Sequence, residues 1–367
     1  MKTLDYIKKN GIDSLEKNFG IKVKKYTDHN LAVLNYNQIE SPKFHPVVME
    51  CRGLIIDYKK LAPVSRTFKR FFNLNEWKDD PFDFDSSYRV EEKADGSLMS
   101  VYWYNGTWNI ATRRTAFGES TIHTDKTKTF RDVFISIIKM PINEFMKGMS
   151  KNRSYTFELC SLYNKVVKVY EKPTLYLTNI VDLSTGEEFD STILDMIADI
   201  LNVKRPKKYT FSSIDEMTNH FQNMDPTDEG FVIIDDNFNR IKVKNPSYVD
   251  LHHIKGGDAP SFKRVVNIIF KGETEEVLSY FPEHKSFFQK PQKIYDYIID
   301  EIHRYECLAT NEEISQKEFA LQVKDLPFSS VLFGIRRGKA INDVLSKLTP
   351  QAKERMISFY LNDKRFE

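Results

Sequence analysis

The sequence predicts an α+β domain over residues 1–250, with antiparallel sheets and flanking helices, and an all-helical domain over residues 251–367. Three observations predict it. Short β-branched and aromatic runs recur from Leu31 to about Lys244, as expected of strands divided by turns. Two amphipathic helical patterns interrupt them. After about Pro246 the strand pattern fades and helical periodicity takes over. A chain of 367 residues is long enough for two domains of ordinary size.

The strand candidates, in order, are LAVLNY (31–36), GLIIDY (53–58), SLMSVYWY (97–104), TWNIATR (107–113), SYTFELC (154–160), KVVKVY (165–170), TLYLTNI (174–180), GFVIID (230–235) and RIKVK (240–244). Asn105-Gly106 between two of them is a strong two-residue hairpin signal, because both residues tolerate positive φ. Lys126 to Met140 and Ser191 to Val203 carry apolar residues at helical spacing, the second with Asp190 or Ser191 as its cap. Farther on, Ile294, Ile298, Ile302 and Tyr305 fall on one helical face. The paired Gly256-Gly257 near the change of pattern reads as a linker.

Composition narrows the class. Hydrophobic residues form 41% of the chain, enough for a real core. With 54 basic and 52 acidic residues the net charge is only +2, so a nucleic-acid partner would need a local basic groove. The three cysteines show no metal-ligand spacing and fit a reduced compartment. The N-terminal MKTLDYIKKNGID lacks a signal-length apolar run, and no stretch reaches membrane-spanning length. The expectation is a soluble, cytoplasmic protein with no membrane partner.

Candidate chemistry begins at Lys93-Ala94-Asp95-Gly96, directly before an apolar strand. A lysine is a nucleophile only as the neutral amine, so a reactive lysine needs shelter or cationic neighbours. Gly96 permits a close backbone approach. Alone, the tetrapeptide reads better as a solvated hairpin tip. Lys242 and Lys244 alternate on one strand, so they share a face. They are either a phosphate clamp or the guards of a solvated edge. Glu229-Gly230 heads another apolar strand, and Glu158 sits inside a largely apolar one, where a carboxylate needs a partner. Arg52, in ECRG, stands at a strand entrance and suits bidentate phosphate contact. Arg70 precedes the aromatic pair of FFNLNE.

The order ECRG, FFNLNE, KADGS, FE, EGF and KVK resembles the covalent nucleotidyltransferase superfamily of ligases and capping enzymes. ECRG combined with FFNLNE is more specifically similar to the type 1 RNA ligases of T-even phages. The resemblance implies a nucleotidyltransferase (adenylyltransferase) domain, with Lys93 the lysine that accepts AMP from ATP. It implies nucleotide contacts by Tyr36, Arg52, Gly96, Glu158, Glu229, Lys242 and Lys244. Arg70 and Arg113 stand where relatives carry lysines. Tyr248 matches a position linked to RNA handling, and Glu275 falls where relatives use an aspartate near a metal. Glu229 is a second candidate metal ligand. Mg2+, with Mn2+ as substitute, is the implied metal.

The implied reaction joins 5′-phosphate and 3′-hydroxyl ends of single-stranded RNA, with cleaved tRNA as the implied substrate. A kinase and phosphatase acting upstream would heal the ends, and a phage-infected bacterial cell is the implied setting. The chain is expected to be monomeric. Basic runs at Arg336–Lys339 and Lys204–Lys208 are candidate RNA contacts or ordinary surface. The rivals are a capping guanylyltransferase or DNA ligase, disfavoured by the helices that follow the KVK strand, and a non-catalytic RNA-end-binding protein.

Overall fold

The strands form where alternating or fully apolar runs meet turn residues. In the computed structural model, which describes residues 1–366 except 77–78, 80–81, 85–86, 123–124, 165 and 254–259, two compact units appear, Met1–Tyr248 and Val249–Glu367. The expected linker at Gly256-Gly257 lies outside the described residues.

Three sheets build the first unit. Strands β1 (Ile21–Tyr26), β2 (Leu31–Tyr36), β3 (Arg52–Asp57) and β4 (Ala62–Ser65) pair antiparallel in that order. Strands β5 (Phe72–Asn73) and β6 (Tyr88–Glu92) enter another sheet, described below. Strands β7 (Ser97–Tyr104), β8 (Thr107–Thr112), β9 (Arg153–Cys160) and β10 (Thr174–Asp182) form a second antiparallel sheet in the order β10-β9-β7-β8. Strands β11 (Lys208–Tyr209), β12 (Gly230–Asp235) and β13 (Arg240–Lys244) complete the third sheet, ordered β11-β6-β12-β13-β5. Its β13–β5 pair is parallel, setting Lys242 opposite Asn73.

Burial explains the patterning. Strand β2 is buried along its whole length because both its faces are covered. Ala32 and Leu34 meet Ile7 and Leu15 of the N-terminal helices, while Leu31 and Val33 meet Tyr102 and Ala111 of the second sheet. Helices Phe130–Ile138 and Ser191–Leu201 cover the other face of that sheet through Phe134, Leu194 and Ala198. The first begins in a capping box of Thr129 and Asp132. The second is capped by Asp190, whose side chain accepts from Ile193 N at 3.0 Å. Asn105 (φ 48°) and Gly106 (φ 80°) make the expected tight turn from β7 to β8.

The second unit is helical, as the periodicity requires. Ile294, Ile298 and Ile302 of helix Lys285–Thr310 are fully buried on one face. They pack with Val266 and Ile269 of helix Phe262–Lys271 and Leu332 of helix Ser329–Arg336. Among the described residues no helix is long and apolar enough to cross a membrane. The α+β unit with antiparallel sheets and the helical region after it are those the sequence predicts.

One strand expectation fails. KVVKVY does not pair with a sheet; its described residues form an irregular connection between β9 and β10. The amides of Val167 and Lys168 donate instead to the Asp95 carboxylate, at 2.9 and 2.8 Å. Apolar alternation marked the segment as strand, but its backbone donors have a distant side chain as partner.

Candidate active site

Strand β6 ends at Glu92, and Lys93 follows with its amide donating to Gly230 O at 2.8 Å. Its ammonium donates to Glu229 Oε2 at 2.7 Å, and Lys244 Nζ lies 3.5 Å from Glu229 Oε1. Gly230 makes this possible. At φ +121°, it lets the backbone press so close that an added Cβ would stand 2.3 Å from Val243 O. Burial pushes the Glu229 carboxyl up, but Lys93 and Lys244 outweigh it and hold it below the ordinary range.

The turn after Lys93 is fixed from three directions. Asp95 Oδ2 takes the two amides of residues 167 and 168, and Oδ1 accepts from Tyr248 Oη at 2.9 Å. The Asp95 amide donates to Tyr170 Oη at 3.0 Å. Gly96 then lies against β9, where a Cβ would meet Leu159 O at 2.3 Å. Next along β9, Glu158 accepts no hydrogen bond from the described residues. Burial pushes its carboxyl up to about 7; Glu229 and Asp95 add to the rise, against Lys93 and Arg52.

A ring of cations lies in the same unit. Tyr36, at the end of β2, has the Arg70 guanidinium 4.1 Å and that of Arg113 4.6 Å from its ring centroid. Arg113 Nε donates to Asn35 Oδ1 at 2.8 Å. Arg52 stacks on Phe68 and Phe71 at 5.0 and 5.1 Å, and Lys242 lies 5.3 Å from the Phe71 ring. Arg52 Nε is buried without a hydrogen-bond partner among the described residues. Burial should raise the Tyr36 phenol, yet Arg52, Arg113, Arg70 and Lys242 together bring it down to about 8. Burial and its cationic neighbours likewise lower Arg113 to about 10, against the pull of Tyr36. So many cations around one phenol make a strongly electropositive cradle, which suits a polyphosphate.

Strand β13 is not a solvated edge, because β12 and β5 flank it. Lys242 and Lys244 are half-buried on one face. Tyr248 is 2% exposed, its hydroxyl directed at Asp95. Glu275 is exposed in the first turn of helix Thr274–Tyr280, in the second unit. Two expected surface cations have internal partners. Arg336 donates to Gln316 and to the carbonyls of Asn311 and Ile314. Arg205 joins Asp195, Glu91 and Leu177 O. Sequence reasoning missed Asp95, Lys168 and Tyr170 as fixers of the lysine turn. The Asp of KADG was the only local signal.

Among the described residues no group of three His, Cys, Asp or Glu side chains is arranged to hold a metal. The Glu158 and Glu229 carboxyls both feel the charge of Lys93. Mg2+ commonly takes one or two carboxylates and completes its shell with substrate phosphates and water, which this donor set allows.

Residues 50–248, over half of the chain, match the family described as RNA ligase, of the T4 type. A proposed bifunctional polynucleotide kinase/RNA ligase of Autographa californica nuclear polyhedrosis virus is 31% identical over 370 residues, covering 95% of this chain and 51% of that protein. An RNA ligase of Rhodothermus phage RM378 is 23% identical, covering 85% of this chain and 79% of that one. The chain thus spans about half the length of the first relative and most of the second. A Naegleria gruberi RNA ligase variant solved with ATP and Mn aligns at a TM-score of 0.37 and 16% identity, over 46% of this chain and 52% of that one.

Proposed function

The chain belongs to this RNA ligase family, and from that premise we propose that it is an ATP-dependent RNA ligase acting through a lysyl-AMP intermediate. The observation that carries the reading is the pairing of Lys93 with Glu229 in the unit that holds the cation ring of Arg52, Arg70, Arg113 and Lys242.

In the first step the Lys93 amine attacks the α-phosphorus of ATP. The ammonium first loses one proton to solvent water; the N–P bond then forms as the bond from the α-phosphorus to the α,β-bridging oxygen breaks, pyrophosphate leaves with that oxygen, and the second proton lost from nitrogen passes to water. Arg52, Lys242 and Lys244 stabilise charge on the phosphates, pre-aligned so that little reorganisation is needed. Arg70 and Arg113 extend the same field. Glu158, with no hydrogen bond to occupy it, accepts from the ribose hydroxyls. Gly96 and Glu229 place the nucleophile. A divalent ion, Mg2+ or Mn2+, would neutralise phosphate charge when bound, with Glu229 as its protein carboxylate. Glu275 belongs to the second unit and is proposed only as a contributor to later steps.

AMP then passes to the 5′-phosphate of an RNA end, and a 3′-hydroxyl displaces it to close the strand. Tyr248 serves RNA handling through the turn it holds. We assign RNA specificity to Val249–Glu367, with cleaved tRNA as substrate. The relative that joins a kinase name to a ligase name supports end-healing upstream. The phage relative supports a phage-infected cell, and its cytoplasm, as the setting. The chain acts as a monomer.

The test is intact mass after incubation with ATP and Mg2+, then after adding 5′-phosphorylated single-stranded RNA. One AMP gained, then lost as sealed product forms, supports the ligase. No gain in protein free of prior adenylylation, together with RNA binding, leaves a non-catalytic RNA-end binder. Gain from GTP but not ATP points to a capping enzyme.

A further inference from the structure

We propose that residues 166–170 form a strap that holds the lysine turn in its working position, and that Lys168 is the positioning residue joining the two halves of the Lys93–Glu229 pair. For the step it affects, the inference rests on the ligase reading above.

Five contacts converge from this segment. The amides of Val167 and Lys168 both donate to Asp95 Oδ2, at 2.9 and 2.8 Å. Tyr170 Oη accepts the Asp95 N–H at 3.0 Å. Lys168 Nζ donates to Asp228 Oδ1 at 2.5 Å and lies 3.4 Å from Glu92 Oε1. Glu92 directly precedes Lys93, and Asp228 directly precedes Glu229. One ammonium therefore bridges the residues before both members of the pair.

Apolar burial does not hold the strap down along its length. Val166 is 46% and Val169 50% exposed. Its one deeply buried side chain, Tyr170, packs with Ala94 and Cys160, beside the same turn. Nor does a sheet ladder hold it. What fixes the segment is charge-assisted hydrogen bonding to Asp95, Asp228 and Glu92, and such bonds are the stronger kind. The dependence runs both ways, since the Lys93 turn has the strap as the donor for one Asp95 oxygen. Lys168 has a second effect. It offsets two carboxylates that would otherwise stand as uncompensated negative charge beside a nucleophile meant to meet a phosphate.

Lys168 touches no phosphate in this reading, so its loss should slow the chemical step and leave nucleotide affinity largely alone. The experiment compares wild type, Lys168→Ala, Lys168→Arg and Asp228→Asn. Each is measured for lysyl-AMP formation over a range of ATP, for thermal melting, and for amide hydrogen exchange of the peptide spanning residues 92–97. The expected result for Lys168→Ala is a maximal rate at least tenfold lower, an ATP half-saturation within threefold of wild type, and tenfold faster exchange at Lys93 and Asp95. Lys168→Arg should recover to within threefold, and Asp228→Asn should fall between. An unchanged maximal rate, or a loss confined to ATP half-saturation, overturns the proposal. If Lys168→Ala does not fold, Asp228→Asn decides it: a maximal rate within threefold of wild type, or a loss confined to ATP half-saturation, overturns the proposal. If wild type never gains AMP, the ligase reading fails by itself, and exchange still decides the strap: equal protection in wild type and Lys168→Ala refutes it.

Discussion

Adding a single methyl at Gly96 is the sharpest perturbation of the lysine turn. A Cβ there would stand 2.3 Å from Leu159 O and 2.7 Å from Cys160 Sγ, where ordinary contacts lie at 3.4–4 Å. Strand β9 cannot yield, since Leu159 and Cys160 are fully buried and β9 pairs with both β7 and β10. The turn must therefore retreat by about 1 Å, carrying Lys93 with it. Misplacement on that scale costs on the order of 100-fold in rate, because in-line attack tolerates little error. Overpacking itself costs about 1–3 kcal/mol, which a cooperative domain can survive. The assay is the rate of AMP gain by intact mass at saturating ATP, with thermal melting as the folding control. Gly106→Ala is the comparison: Gly106 has a positive φ of 80°, which Gly96 does not, but nothing lies within 4 Å of the new Cβ. Gly96→Ala should be about 100-fold slower than wild type, Gly106→Ala close to it. A Gly96→Ala rate within threefold of wild type refutes the close-approach argument.

Two pH predictions follow from the buried Tyr36 and the half-buried Glu158. The Tyr36 phenol is depressed to about 8, so phenolate formation favours the folded state. The stabilisation is fully present above the unfolded value near 10 and is lost as pH falls through 8; it amounts to at most about 2.7 kcal/mol. Absorbance near the tyrosinate band should show one early titration that Tyr36→Phe removes and that bound ATP moves upward, as phosphates neutralise the cations; an early titration surviving in Tyr36→Phe would contradict this. Glu158 has the opposite sign. Its folded value of about 7 exceeds the ordinary 4.5, so its ionisation opposes folding increasingly as pH rises from 4.5 to 7. Glu158→Gln without nucleotide should match wild type in urea unfolding near pH 4 and exceed it at pH 8 by up to about 3 kcal/mol. A constant offset across that range would remove burial as the cause.

Much of the strand order was legible because each strand carries its own pattern. Asn105-Gly106 alone specifies the β7–β8 turn. The residues of the cation ring were legible one by one, each in a short motif. Their convergence on Tyr36 was not, because Arg52, Arg70, Arg113 and Lys242 come from separate segments and meet only through tertiary packing. The strap was misread for a related reason. KVVKVY has the local pattern of a strand, and only Asp95, more than 70 residues earlier, reveals where its amides donate. Arg205 and Arg336 show the limit of reading charge from composition, since a basic run does not disclose which members face inward.

The parallel pairing of β5 with β13 has a consequence for how the protein is made. Phe72 and Ile241 are direct partners about 170 residues apart, and closing so long a loop is slow compared with local hairpin formation. At typical synthesis speeds of ~5–20 residues per second, the aromatic strand waits roughly ten seconds or longer for its neighbour to leave the ribosome. Until then Lys242 and Lys244 do not exist in the nascent chain, and the third sheet lacks its last strand. On the proposed reading, an emerging chain is therefore chemically silent toward nucleotide until most of the first unit has been translated. A premature stop anywhere before β13 should yield inert protein, not a partly active ligase.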